Sequence, residues 1–177
     1  TLYLHFPDPA TPMESALEGC ARLYDQHKFK RLGLSNFPAW MVSEACHICE
    51  VHGWMRPSVY EGLYNALSRN AERELDSALS YYGMRFYAYN PLAGGILTDK
   101  YYDRNGGIQE GRFTYRPNYQ QRYWKDSYFE AVDHIRKACA PYDMDVAEAA
   151  YRWIAYHSML KKGRGDGIII GASRIEH

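Results

Sequence analysis

No charge of one sign predominates in this chain: 21 Lys and Arg face 21 Asp and Glu, a formal net charge of zero. No long single-sign run occurs and the basic residues are scattered. That argues against nucleic acid or an anionic membrane surface as partner, whereas a small anion needs only a local cluster. No apolar run approaches the roughly 18 residues of a membrane span, and no signal peptide opens the chain, so a cytoplasmic protein is expected. Cysteine is scarce, with only Cys20, Cys46, Cys49 and Cys139. A chain of 177 residues needs no disulfide framework, and reduced thiols are the simpler reading. Cys46-His-Ile-Cys49 imitates half of a zinc site, but no second pair completes four ligands. It reads as two half-buried thiols one helical turn apart, and no metal is expected.

Catalytic signatures are also lacking. There is no G-x-G-x-x-G after a strand and no P-loop, so dinucleotide-fold and NTPase readings lose their anchor. No G-x-S-x-G elbow and no HExxH occurs, which removes the usual hydrolase cues. The chain begins at Thr1 and is short of the about 250 residues of a complete (β/α)8 barrel, so a truncated piece is expected.

What is present is a core-forming composition, 46% hydrophobic and 15% aromatic with 17 Tyr, too rich for disorder and sufficient for a single domain over 1–177. Leu2-Tyr3-Leu4 is a short apolar run stopped by two prolines. The spacing predicts a helix over 13–27, a strand over 31–36, and a helix from Ala39 to His52 between Pro38 and Gly53. A strand over 58–60, a helix over 71–82 and an aromatic strand over 84–89 follow. Residues 92–123 carry five glycines and read as a long loop, which favours a functional one. Helices over 124–139 and 146–157, a polar turn over 161–166 and an apolar strand over 167–171 complete the pattern.

Strands that alternate with helices and are themselves short apolar runs predict a parallel sheet covered by helices. A doubly wound sheet and a (β/α)8 barrel both fit this pattern. In either, ligands bind beyond the carboxyl ends of the strands. Those ends carry His5 and Asp8, then Ser35 and Asn36, then Glu61, then Tyr89 and Asn90, then Ser173 and Arg174. Five polar ends in a row suggest a polar mouth. Singly, each has a plainer explanation: His5 as a core histidine, Ser35-Asn36 as a helix cap, Tyr89 as a core ring. Lys100, Arg104 and Arg112 fit a phosphate site or a solvated loop equally well.

Tyr3-Leu4-His5, Gly33-Leu34-Ser35-Asn36 and Phe86-Tyr87-Ala88-Tyr89-Asn90-Pro91-Leu92-Ala93-Gly94-Gly95 resemble the aldo-keto reductases. Leu97-Thr98-Asp99-Lys100-Tyr101, Gly111-Arg112-Phe113, Arg122-Tyr123-Trp124-Lys125 and Ala150-Tyr151-Arg152-Trp153 are similar to the aflatoxin-aldehyde (succinic semialdehyde) reductase branch of that family. The resemblance runs from Leu2 to about Glu176. It implies part of a (β/α)8 barrel, about strands 4 to 8 with their helices, and NADPH-dependent reduction of small carbonyl substrates. Neither nucleic acid nor a membrane is expected as partner, and a homodimer is left open.

His5 matches the family's carbonyl-orienting His. The resemblance places the Tyr acid and its Lys and Asp supports in strands ahead of Thr1, so this chain alone is expected to be inactive. Ser35 and Asn36 match the pair that hydrogen-bonds the nicotinamide carboxamide, and Tyr89 matches the ring stacked on the nicotinamide. Asn90, Leu92, Gly94 and Lys100 match the loop along the pyrophosphate. Gly171, Ser173 and Arg174 begin the 2′-phosphate segment, and Arg112 matches an arginine near the cofactor or a substrate carboxylate. Glu61 stands where the family usually has a Gln beside the carboxamide, and Asp99 stands where Gly is common. A catalytically dead binding module, or a partner subunit resembling potassium-channel β subunits, is the alternative reading.

Overall fold

A computed structural model describes residues 1–101 and 112–172, with the side chains of Asp99 and Arg112 outside the description. The strands are β1 (Leu2–Leu4), β2 (Leu32–Ser35), β3 (Val59–Leu63), β4 (Arg85–Tyr89) and β5 (Gly167–Ile168). The helices are α1 (Met13–Asp25), α2 (Ala39–His52), α3 (Leu75–Tyr81), α4 (Arg112–Tyr115), α5 (Pro117–Tyr123), α6 (Asp126–Cys139) and α7 (Val146–Tyr156). The strands form one sheet in the order β1-β2-β3-β4-β5. β1 pairs parallel with β2 and β2 with β3, with Tyr3 opposite Gly33, Gly33 opposite Val59 and Ser35 opposite Glu61. A doubly wound sheet reverses its strand order at a switch point. The strictly sequential order here is that of an open arc of a (β/α)8 barrel.

The described residues fall into two compact units. The first comprises Thr1–Leu63, Asn70–Ala88 and Met159–Gly167; the second comprises Tyr64–Arg69, Tyr89–Ser158 and the chain from Ile168.

In the first unit, period-two alternation divides each strand between two faces. Leu32 and Leu34 are buried on the helix-bearing face. α1 buries Leu17 and Cys20, and α2, which packs on α1, buries Val42, Ala45, Cys46 and Cys49. α2 starts after the extended Pro38 and stops at Gly53, whose φ of 68° is the left-handed end that glycine takes without strain. Tyr60 and Phe86 stack at 5.9 Å beside Gly62, where a Cβ would lie 2.5 Å from Phe86 Cε2. That close approach explains why β3 runs on to Leu63, past the expected end at Tyr60. Tyr3 covers Gly33 on the opposite face in the same way.

Asp166 lies just before β5, with its side chain fully buried. It accepts from Phe86 N at 2.8 Å, Lys161 N at 2.8 Å and the Arg164 guanidinium. Arg164 reaches on to Asp76 at 2.7 Å, which Lys161 also contacts at 3.1 Å. An ion cluster thus ties α3, β4 and the start of β5 where only a polar turn was expected.

The second unit is built on aromatic rings. Tyr101, Phe113, Trp124 and Phe129 pack edge to face, with successive centroids 4.9, 5.2 and 5.0 Å apart. These contacts correct the expected loop over 92–123, which contains α4, α5 and two short 3-10 turns. α7 opens on Asp145, whose carboxylate accepts from Glu148 N at 2.7 Å. Other bounds differ as well: Asn70–Glu72 is a 3-10 turn and α3 starts only at Leu75, α6 starts at Asp126, and β5 ends at Ile168. No helix among the described residues is long and apolar enough to cross a membrane.

Candidate functional site

In the first unit, side chains at the end of β2 tie the end of β1 to the middle of β3, so Glu61 stands inside its strand and not at the strand end expected from sequence. The Ser35 hydroxyl, 1% exposed, donates to the Glu61 carbonyl at 2.9 Å and so links β2 to β3. Asn36 Nδ2 donates to the Ser35 hydroxyl at 3.0 Å and to the His5 carbonyl at 3.0 Å, reaching the end of β1. Asn36 can do this because it sits at φ 62°, a left-handed conformation that Asn tolerates better than most residues. The His5 imidazole is exposed and meets Phe6 edge-on at 4.8 Å. The structure therefore brings His5, Ser35, Asn36 and Glu61 together.

The register places Tyr3, Ser35 and Glu61 on one face of the sheet. Burial pushes the Tyr3 hydroxyl above its ordinary value, and the charges of Glu61 and Tyr87 push it further. This face thus carries a half-buried carboxylate among phenols and a hydroxyl–amide pair. The Ser35 hydroxyl proton goes to the Glu61 carbonyl and the Asn36 amide protons go to the Ser35 hydroxyl and the His5 carbonyl, so the donors of the pair are engaged within the chain, and a carboxylate at Glu61 offers acceptors only.

The second unit carries Tyr89 at the end of β4, then Asn90, Leu92, Gly94 and Lys100. Positive φ occurs at Asn90 (58°), Ala93 (50°), Gly94 (72°) and Gly95 (107°), making a tightly turned segment. Gly95 N and Leu97 N both donate to the Leu92 carbonyl, at 2.8 and 3.2 Å. Thr98 Oγ1 donates to the Gly95 carbonyl at 2.6 Å and accepts from Lys100 N at 3.3 Å. The exposed Lys100 ammonium lies 5.5 Å from the Tyr101 ring centroid.

Arg112 begins α4, its side chain outside the description. Gly171 is exposed, and Ser173 and Arg174 lie outside the described residues.

Two residues of the second unit were missed by sequence reasoning. Asn65 is fully buried: its Oδ1 accepts from Leu67 N and Ser68 N, and its Nδ2 donates to the Asn90 carbonyl at 3.0 Å. An Asn in the connection between β3 and α3, with Ser68 three residues on, was the available signal. Tyr119 meets Asn90 from α5, and nothing local in the sequence announces that contact. The thiols of Cys46 and Cys49 are poor nucleophiles. Burial, with Cys49 adding, pushes the Cys46 thiol up to about 12; burial, with Cys20 adding, pushes Cys49 up to about 11. Cys46 and Cys49 are fully buried rather than half-buried.

The aldo/keto reductase family model matches residues 1–177. Aldo-keto reductase family 7 member A3 of Homo sapiens is 45% identical over 183 residues, covering 98% of this chain and 55% of the relative. Aflatoxin B1 aldehyde reductase member 2 of Homo sapiens is 46% identical over 183 residues, covering 98% of this chain and 51% of the relative. An aldo-keto reductase of Pseudocercospora fijiensis is 42% identical over 181 residues, covering 99% and 61%. The chain thus spans about half the length of the curated relatives it matches. The sequential parallel strands, the polar strand ends and this end-to-end similarity agree: the chain belongs to the aldo/keto reductase family.

Proposed function

We propose that these residues form the cofactor-binding part of an NADPH-dependent reductase that converts aldehydes and ketones to alcohols. The observation that carries the reading is the tie that Ser35 and Asn36 make between the ends of β1 and β2 and the middle of β3, a fixed hydroxyl–amide pair able to exchange its partners for a carboxamide. Bound NADPH supplies the hydride. Ser35 and Asn36 orient the carboxamide, and Tyr89 covers the nicotinamide ring. Asn90, Leu92, Gly94 and Lys100 follow the pyrophosphate, while Gly171, Ser173 and Arg174 hold the 2′-phosphate, with Arg112 serving that phosphate or a substrate carboxylate. Cations and main-chain N–H groups are the chemistry a phosphate dianion requires.

His5 donates to the carbonyl oxygen as negative charge develops there, a role that favours donors fixed in advance. The bond from the Asn36 side-chain amide to the His5 main-chain carbonyl supplies part of that fixing. The family's proton donor is a tyrosine with Lys and Asp beside it, and no residue set in this chain matches it. Residues 1–177 by themselves therefore hold cofactor and do not turn over. The names of the relatives point to an aldehyde as the natural substrate class.

A steady-state assay of NADPH loss with succinic semialdehyde tests both statements. The full-length protein should turn over and residues 1–177 should not. Turnover by the short chain within about tenfold of the full-length protein would sink the assignment, because general acid–base assistance alone is worth about 10²–10⁴ in rate.

A further inference from the structure

The segment from Asn90 to Gly95 concentrates four positive φ angles in six residues, and two of them belong to Asn90 and Ala93. A residue other than glycine in this region costs free energy and persists only where its surroundings impose it. The restraints on Asn90 come from two distant places in the chain. Asn65 Nδ2, itself fully buried, donates to the Asn90 carbonyl at 3.0 Å and fixes its main chain. Tyr119 fixes its side chain: the phenol accepts from Asn90 Nδ2 at 3.1 Å and donates to Asn90 Oδ1 at 3.2 Å. The Tyr119 ring also occupies the space above Gly94, where a Cβ would lie 2.8 Å from Cδ1.

The phenol-to-Oδ1 bond, at 3.2 Å, is long for an O–H···O bond, which centres near about 2.7–2.8 Å, and one hydroxyl spanning both heteroatoms of an amide cannot align with both. The contact is thus specific and weaker than two separate bonds. A weak, specific side-chain contact between a short helix and a strained loop suits a part that closes and opens, whereas the buried Asn65 contact suits a fixed hinge.

We propose that Tyr119 is a positioning residue, the latch that keeps the 90–97 loop in its cofactor-holding conformation and sets the rate of cofactor release. The proposal rests on the reading of this loop as the pyrophosphate segment. Tyr119 acts through Asn90 and Gly94 and touches no reacting atom.

The test is Tyr119→Phe in the full-length protein, which keeps the ring over Gly94 and removes the hydroxyl. NADPH release, followed by stopped-flow fluorescence, should quicken about three- to tenfold, the equivalent of one ordinary hydrogen bond. In the cofactor-free protein, amide exchange at Gly95 and Leu97 should quicken by a similar factor with the helices unchanged, a readout independent of NADPH. Asn90→Asp should weaken the same contact and add little in the Tyr119→Phe background. Release and loop exchange both within twofold of the parent would overturn the latch while leaving the cofactor reading intact. A parent that shows no saturable NADPH binding overturns the cofactor reading and the latch together.

Discussion

Glu61 places a carboxylate in the middle of β3, on the face it shares with Tyr3 and Ser35. An oxidised nicotinamide is cationic and a reduced one is neutral, so a carboxylate beside the ring favours the oxidised form. Glu61→Gln should lower the preference for NADP+ over NADPH by about three- to tenfold, a Coulomb effect reduced by partial solvent exposure. Titration of both proteins with both cofactor forms checks this, and an unchanged ratio of dissociation constants would place Glu61 away from the ring. Cys46 and Cys49 make a second prediction at this scale. Their thiols stand at about 12 and about 11 against an ordinary 9.0, so the folded state keeps them protonated while the unfolded chain ionises them. The stability they confer is complete below pH 9.0 and is lost as pH rises through about 11 to about 12. Denaturation midpoints should fall across that window, and Cys139 should react with a thiol reagent before the three buried cysteines. Early modification of Cys46 would contradict this.

At the scale of elements, the cluster before β5 invites a direct test. The Arg164 and Asp166 side chains are 8% and 0% exposed, so removing Asp166 strips Arg164 of one of its two carboxylates in the interior and leaves it to Asp76 alone. Asp166→Ala should cost about 3–5 kcal/mol and also deprive Phe86 N of its acceptor, whereas Arg164→Lys should cost less. A midpoint for Asp166→Ala close to that of the parent would refute the cluster's role. Asp76 adds an acid limb. Burial raises its carboxyl, but hydrogen bonds from Arg164 and Lys161 outweigh burial and hold it below the ordinary 3.8. Its contribution is therefore present above 3.8 and lost as pH falls through the depressed value.

The same elements show what the sequence reveals. α2 is found at its expected bounds because both its signals, Pro38 and Gly53, are local. β3 is longer than expected because Gly62, which reads as a breaker, serves the Tyr60–Phe86 stack. α4 and α5 were hidden because their stability lies in rings from distant segments. Ser35 and Asn36 stand out at the end of an apolar strand, but the Asn65 and Tyr119 contacts that fix Asn90 span 25 and 29 residues, and no local pattern encodes them.

For the whole molecule, the open strand order leaves β1 and β5 at the two ends of the sheet among the described residues. Strand edges present backbone donors and acceptors that seek partners. Residues 1–177 expressed alone should therefore self-associate, and sedimentation should show mass rising with concentration. A single monomeric species with a cooperative thermal transition would mean the edges are covered in some other way. The central claim, that Ser35 and Asn36 anchor a nicotinamide cofactor, is tested most directly by calorimetric titration of the full-length protein with NADPH, alongside Asn36→Ala. The account predicts saturable one-to-one binding by the parent and about tenfold or greater weakening in the variant, the loss expected when a buried polar group is left without its partner. Equal affinities in the two proteins, or no binding by the parent, would contradict it.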